Sequence, residues 1–113
     1  MSTITTHILD TARGTPAKGV EIMLFRQCDQ DWQTIGSGVT DSDGRVKELC
    51  KDLPNLSVGT YKIHFDTKHY FSDNGDTLFY PYAEVVFTID KSDQHYHIPL
   101  LLSPFSYSTY RGS

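Results

Sequence analysis

A chain of 113 residues that is 38% apolar and 21% charged, with seven tyrosines and six phenylalanines, has the makings of one ordinary-sized core and is no disordered tail. Its formal charge of −4 argues against general binding to a phosphate backbone, which needs clustered cations, although a few arginines can still build a local anion site. The two cysteines, Cys28 and Cys50, have no CxxC or framework spacing and suggest free thiols in a reducing compartment.

Helical periodicity is nearly absent along the chain. Short runs of β-branched and aromatic residues alternate instead with turn signals about every ten residues, as in a sandwich or barrel. "TITTHIL" is the first expected strand and ends at the turn "DTARGTPAKG". "VEIMLFRQ" follows, with Val20, Ile22 and Leu24 on one face and Glu21, Met23 and Phe25 on the other. "DWQTIGSGVT" comes next, then the turn "DSDGR", a short strand "VKEL" and the connection "CKDLPNLSVG". In "TYKIHFD", Tyr61, Ile63 and Phe65 alternate with Lys62 and His64. "TKHYFSDNGD" is the one helical piece, stopped by Asn74-Gly75. Then come the strand "YAEVVFTI", the turn "DKSDQ", and the pair "HYHIPLLLS" and "FSYSTYRG" joined at Ser103-Pro104. About eight strands and one short helix predict an all-β, antiparallel two-layer sandwich, and residues 1–113 carry no internal repeat or linker, so a single domain is expected.

The start "MSTITTHILDTARG" has neither a basic nor an apolar leader region, and the longest apolar run is too short for a bilayer. Cytoplasm is the expected location, with no membrane and no nucleic acid among the partners.

Strand parity places His95, His97, Pro99 and Leu101 on one face of the penultimate strand, His7 and Leu9 on one face of the first, and Ser108, Tyr110 and Gly112 on one face of the last. A single polar residue beside apolar neighbours would be unremarked; the same mixture on three strands points to a site. His95 and His97 also have the i, i+2 spacing of imidazoles that can share a metal, with His7 as a third ligand, but no further Cys, His, Asp or Glu cluster accompanies them. No metal or other cofactor is expected. "DSDG" lacks the remaining ligands of a calcium loop, and nucleophile-elbow, P-loop and dinucleotide fingerprints are missing.

"THILDTARGTPAKGV", "TDSDGR" and "HYHIPLLLSPFSYSTYRGS" together resemble the transthyretin family, in order and over the length of the chain. The closing Tyr-Arg-Gly-Ser resembles the family's 5-hydroxyisourate hydrolase branch rather than its hormone carriers. That resemblance implies an eight-stranded transthyretin-like sandwich assembled as a homotetramer, with active sites at the mouths of a central channel. It implies a small purine-derived substrate and hydrolysis of one ring amide, between N1 and C6, to 2-oxo-4-hydroxy-4-carboxy-5-ureidoimidazoline. The residues it assigns to catalysis are His7, Arg45, His97 and Ser113, the last through its hydroxyl or a terminal carboxylate. Substrate binding falls to His7, Arg45, Tyr110 and Arg111. The alternative is a carrier that binds a small molecule in the same channel without turning it over.

Overall fold

In β1 (Thr3–Asp10), residues with even numbers are buried and those with odd numbers half-exposed. This period of two is what a strand with one face on a core must show. The computed structural model describes residues 3–47, 49–50 and 56–112. Within them follow β2 (Thr15–Pro16), β3 (Glu21–Cys28), β4 (Asp31–Val39), β5 (Gly59–Asp66), helix α1 (Lys68–Asp73), β6 (Ala83–Ile89), β7 (His95–Ser103) and β8 (Ser106–Thr109). Two four-stranded sheets result, ordered β2-β1-β7-β8 and β4-β3-β5-β6.

The core lies between the sheets. Ile4 and Ile8 of β1 and Tyr96, Ile98, Leu100 and Leu102 of β7 face Ile22 and Leu24 of β3 and Tyr61, Ile63 and Phe65 of β5, all buried. Each such side chain contributes about 1.5–3 kcal/mol of burial. The faces expected for 20–25 and 61–65 are therefore the observed ones, and α1 forms within the expected stretch, packing Tyr70 and Phe71 inward. Among the described residues, no helix is long and apolar enough to cross a membrane.

Two details depart from the expected pattern. The stretch 46–49 forms no strand among its described residues, and the eighth strand is β2, inside what reads as a turn. Only Arg45 makes an isolated bridge there, while Val46 packs against the core, so burial rather than pairing explains the apolar residues. The second departure is that β1 and β7 pair in parallel, Thr3 opposite His95 through Asp10 opposite Leu102, while every other pair is antiparallel. A parallel pair needs a long crossover, and here the whole second sheet supplies it.

Asp10 ends β1 as a buried carboxylate and ties the helix to the sheet. It accepts hydrogen bonds from the Tyr70 hydroxyl at 2.5 Å, the Arg13 guanidinium at 3.0 Å and the backbone N–H groups of Ala12 and Arg13. Arg13 also pairs with Asp76 at 2.7 Å. Burial alone would raise the Asp10 pKa, but the Tyr70 and Arg13 hydrogen bonds and the Arg13 charge hold it below its ordinary value. Asp10→Ala is expected to cost about 2–3 kcal/mol in urea unfolding, because Tyr70 and Arg13 lose their acceptor. A depressed folded-state pKa means that this stabilisation is full above the unfolded pKa of ~3.9 and fades as pH falls through the lower folded value. The difference between wild type and variant should therefore shrink only at strongly acidic pH.

Candidate active site

The sheet β2-β1-β7-β8 turns its outer face away from the core, and His7 and His97, singled out by parity, lie on that face. In the parallel register Thr5 stands opposite His97 and His7 opposite Pro99, so the two imidazoles are diagonal neighbours on adjacent strands. Diagonal side chains in a sheet stand roughly 7–8 Å apart, a span that a small planar molecule can bridge.

Arg45 arrives from the turn 41–45. The Asp41 carboxylate accepts the backbone N–H groups of Asp43 and Arg45, at 2.9 and 3.1 Å, and Gly44 takes φ +74°. Gly44 then accepts the Ile8 N–H at 2.9 Å, and Arg45 bridges His7 as an isolated antiparallel pair. Only glycine fits position 44, since a Cβ there would stand 2.5 Å from the Ile8 carbonyl oxygen at a φ that side chains avoid. "DSDGR" is thus a device for pairing the Arg45 backbone with His7, with its guanidinium near enough to His97 to act on it electrostatically. Among the described residues that guanidinium makes no ion pair, so its donors remain open to a ligand.

Beyond β8 the chain returns to the same face. The Gly112 N–H donates to the His97 carbonyl at 2.9 Å, and a Cβ on Gly112 would lie 2.5 Å from His97 Cδ2. The glycine of the closing tetrapeptide is therefore where backbone slides against an imidazole. Tyr110 is exposed. Arg111 points to the other side of the sheet: its guanidinium lies 4.6 Å from the Tyr96 ring centroid and donates to Gln94 Oε1 at 3.2 Å. Tyr110 and Arg111 together border a cleft of about 210 Å³ between β6 and β7–β8, lined also by Val86, Phe87 and Ile98. Within one chain, then, His7, Arg45, His97 and Gly112 come together and Arg111 does not join them. Ser113 lies outside the described residues.

The His97 pKa is lowered from its ordinary value of 6.5, first by burial and then by electrostatic repulsion from Arg45, His95 and His7. A neutral imidazole at neutral pH is a competent base. A base works deprotonated, so activity should rise with pH through the His97 pKa, and the acid limb of the kcat/KM profile is expected to have its midpoint below ~6.5. Arg45→Gln removes one of the depressing charges, and the residual activity of that variant should show the limb moved upward.

Sequence reasoning overlooked Thr5. Its hydroxyl lies between two imidazoles, 2.8 Å from His97 Nδ1 and 3.1 Å from His95 Nε2, and Thr3 Oγ1 contacts His95 Nδ1 in turn. The signal was present, because Thr3, Thr5 and His7 share strand parity. The rings of His95 and His97 stack nearly parallel, 6.4 Å apart, with the Thr5 hydroxyl within hydrogen-bond distance of both. Among the described residues no group of three or more His, Cys, Asp or Glu is placed to hold a metal. His64, by contrast, is on the outer face of the other sheet, bonded to Glu84 at 2.8 Å.

Comparison with known proteins identifies the family. A model of the HIUase/Transthyretin family matches residues 4–112. The chain is 50% identical over 115 residues to 5-hydroxyisourate hydrolase of Mus musculus, with 99% of this chain and 96% of that protein covered. It superposes on the structure of Klebsiella pneumoniae 5-hydroxyisourate hydrolase with TM-score 0.86 and 36% identity, covering 100% of both chains. Sea bream transthyretin in complex with thyroxine gives TM-score 0.88 and 39% identity, over 96% of this chain and 93% of that one. This chain belongs to the HIUase/Transthyretin family.

Proposed function

We propose that this protein hydrolyses 5-hydroxyisourate to 2-oxo-4-hydroxy-4-carboxy-5-ureidoimidazoline, as one step of urate breakdown. The observation that carries the proposal is the diagonal pair His7 and His97 beside Arg45 on one outward sheet face. A carrier has no need of two titratable imidazoles beside a guanidinium. The names of the relatives at 50% and 36% identity point the same way.

Water is a poor nucleophile at neutral pH. One imidazole of the pair takes a proton from it as its oxygen attacks the C6 carbonyl, and this form of catalysis contributes about 10²–10⁴-fold. Negative charge gathers on the carbonyl oxygen, where the Arg45 guanidinium is placed to stabilise it. When the C6–N1 bond breaks, the other imidazole supplies the proton that the departing nitrogen needs. Tyr110 and Arg111 bind the acceptor-rich ring. For Arg111 this requires a rotamer other than the one over Tyr96, which its exposure permits. Ser113 positions water or substrate. No cofactor takes part.

The site acts, in this proposal, within a homotetramer in which the sheet carrying it faces a neighbouring copy. Exposed Phe105 and Tyr110, which flank β8 of that sheet, and exposed Phe79 and Val86 elsewhere support self-association, since apolar side chains of this size are better covered than solvated. Cytoplasmic location is supported by the free thiols of Cys28 and Cys50.

Freshly generated 5-hydroxyisourate mixed with the protein should lose its absorbance well above the spontaneous rate. Saturable binding with no acceleration would establish the carrier alternative instead.

A further inference from the structure

Thr3, His95 and Thr5 have no part in the mechanism above, yet they form a continuous row that ends on His97, one of the two reacting imidazoles. Thr5 is its centre. A threonine hydroxyl has one hydrogen to donate and lone pairs to accept with, so it cannot donate to both of its imidazole neighbours. With Thr5 Oγ1 at 2.8 Å from His97 Nδ1 and 3.1 Å from His95 Nε2, at least one of these nitrogens must carry a proton and donate it for both contacts to be hydrogen bonds. The row is therefore polarised in one direction or the other.

We infer that Thr5 is a positioning residue for the hydrolysis proposed above: it accepts a hydrogen bond from His97 Nδ1–H, holding His97 in the tautomer whose bare Nε2 serves as the base. The remaining contacts follow without conflict. Having accepted from His97, Thr5 donates its own hydrogen to His95 Nε2. His95 then carries its proton on Nδ1 and donates it to Thr3 Oγ1. All three contacts of the row then have one donor and one acceptor each, and the hydroxyl hydrogen of Thr5 has a fixed acceptor. Without such a partner an imidazole distributes between its two tautomers, and the fraction with Nε2 protonated cannot accept a proton there.

Other groups define the electrostatic setting of this choice. His97 is faced by Arg45 from the turn 41–45, by His7 of β1 and by His95 of β7, all of which disfavour its protonated form. Gly112 brings backbone, not charge, to its Cδ2 side. Among the described residues, Thr5 thus supplies a neutral acceptor to a ring whose other electrostatic neighbours are positive or potentially positive, orienting it without adding a counter-charge that would trap the imidazolium. The inference rests on the proposed hydrolase reading, and it concerns a residue that does not itself touch the substrate.

The test combines imidazole nitrogen NMR of the unliganded protein with steady-state kinetics for wild type, Thr5→Val and Thr5→Ser. Valine keeps the size of the side chain and removes the hydroxyl; serine keeps the hydroxyl. In wild type and Thr5→Ser, His97 should show a protonated Nδ1 and a bare Nε2. Thr5→Val should give a tautomer mixture and a kcat lower by about 10–100-fold with KM nearly unchanged, and Thr5→Ser should recover all but a few-fold of it. A wild-type His97 protonated at Nε2 overturns the inference, as does a Thr5→Val protein with unaltered tautomer and kcat. Should Thr5→Val fail to fold, the wild-type and Thr5→Ser spectra still decide the tautomer. The NMR result stands whether or not 5-hydroxyisourate is the substrate, so failure of the tautomer and failure of the hydrolase reading are separately visible.

Discussion

Replacing either His97 or His7 with alanine is expected to lower the catalysed rate at least about a hundredfold while leaving the sandwich folded. Both side chains are on the outward face of their sheet, and neither belongs to the buried core. Their loss removes proton transfer without opening a cavity between the sheets. Near-ultraviolet circular dichroism and urea midpoints should stay close to wild type, since substitutions away from the core usually cost within about 0.5 kcal/mol. His64→Ala is the control, because His64 pairs with Glu84 on the other sheet and should leave turnover almost unchanged. An effect at His64 as large as at His97 would mean that the wrong face has been assigned.

The second large effect is expected at the end of the sequence. Deleting 110–113 leaves β8 (Ser106–Thr109) intact, with the Thr109 hydroxyl still donating to the Pro99 carbonyl at 2.7 Å. The protein should fold and have almost no hydrolase activity, because the segment that lies against His97 is gone. Gly112→Ala separates contact from composition. Its added methyl would lie 2.5 Å from His97 Cδ2, so either the ring or the terminal segment must move. Displacements of that size in a reacting geometry cost about 10²-fold, and kcat for 5-hydroxyisourate should fall accordingly without loss of thermal stability. A Gly112→Ala protein with wild-type turnover would show that the approach of this segment to the ring is incidental.

Much of this arrangement can be read from the residues in order. Alternation in "VEIMLF" and "TYKIHFD" is so regular because each strand has one face on a single core, and the buried faces are the expected ones. The same rule places His7, His97 and Gly112 on outward faces without knowledge of any contact. Less legible are features that depend on partners distant in sequence. Parity assigns a face but says nothing about which strands are neighbours, so the parallel pairing of β1 with β7 cannot be read from hairpin-like spacing. Thr5 becomes meaningful only when that pairing sets it opposite His97. Val46 illustrates the reverse case, an apolar residue in a strand-like run whose burial comes from loop packing. Arg111 shows where resemblance outruns geometry: motif matching groups it with the site, while the chain itself lays its guanidinium on Tyr96.

Oxygen isotope labelling tests the central claim, that the site activates water at the ring carbonyl, more directly than any rate. Hydrolysis of 5-hydroxyisourate by the protein in water enriched in oxygen-18, followed by mass spectrometry of the product, should place one labelled oxygen in the newly formed carboxylate. A product lacking the label in its carboxylate, formed faster than in a protein-free control, would contradict water attack at C6 and with it the roles of His7, His97 and Arg45 in that attack.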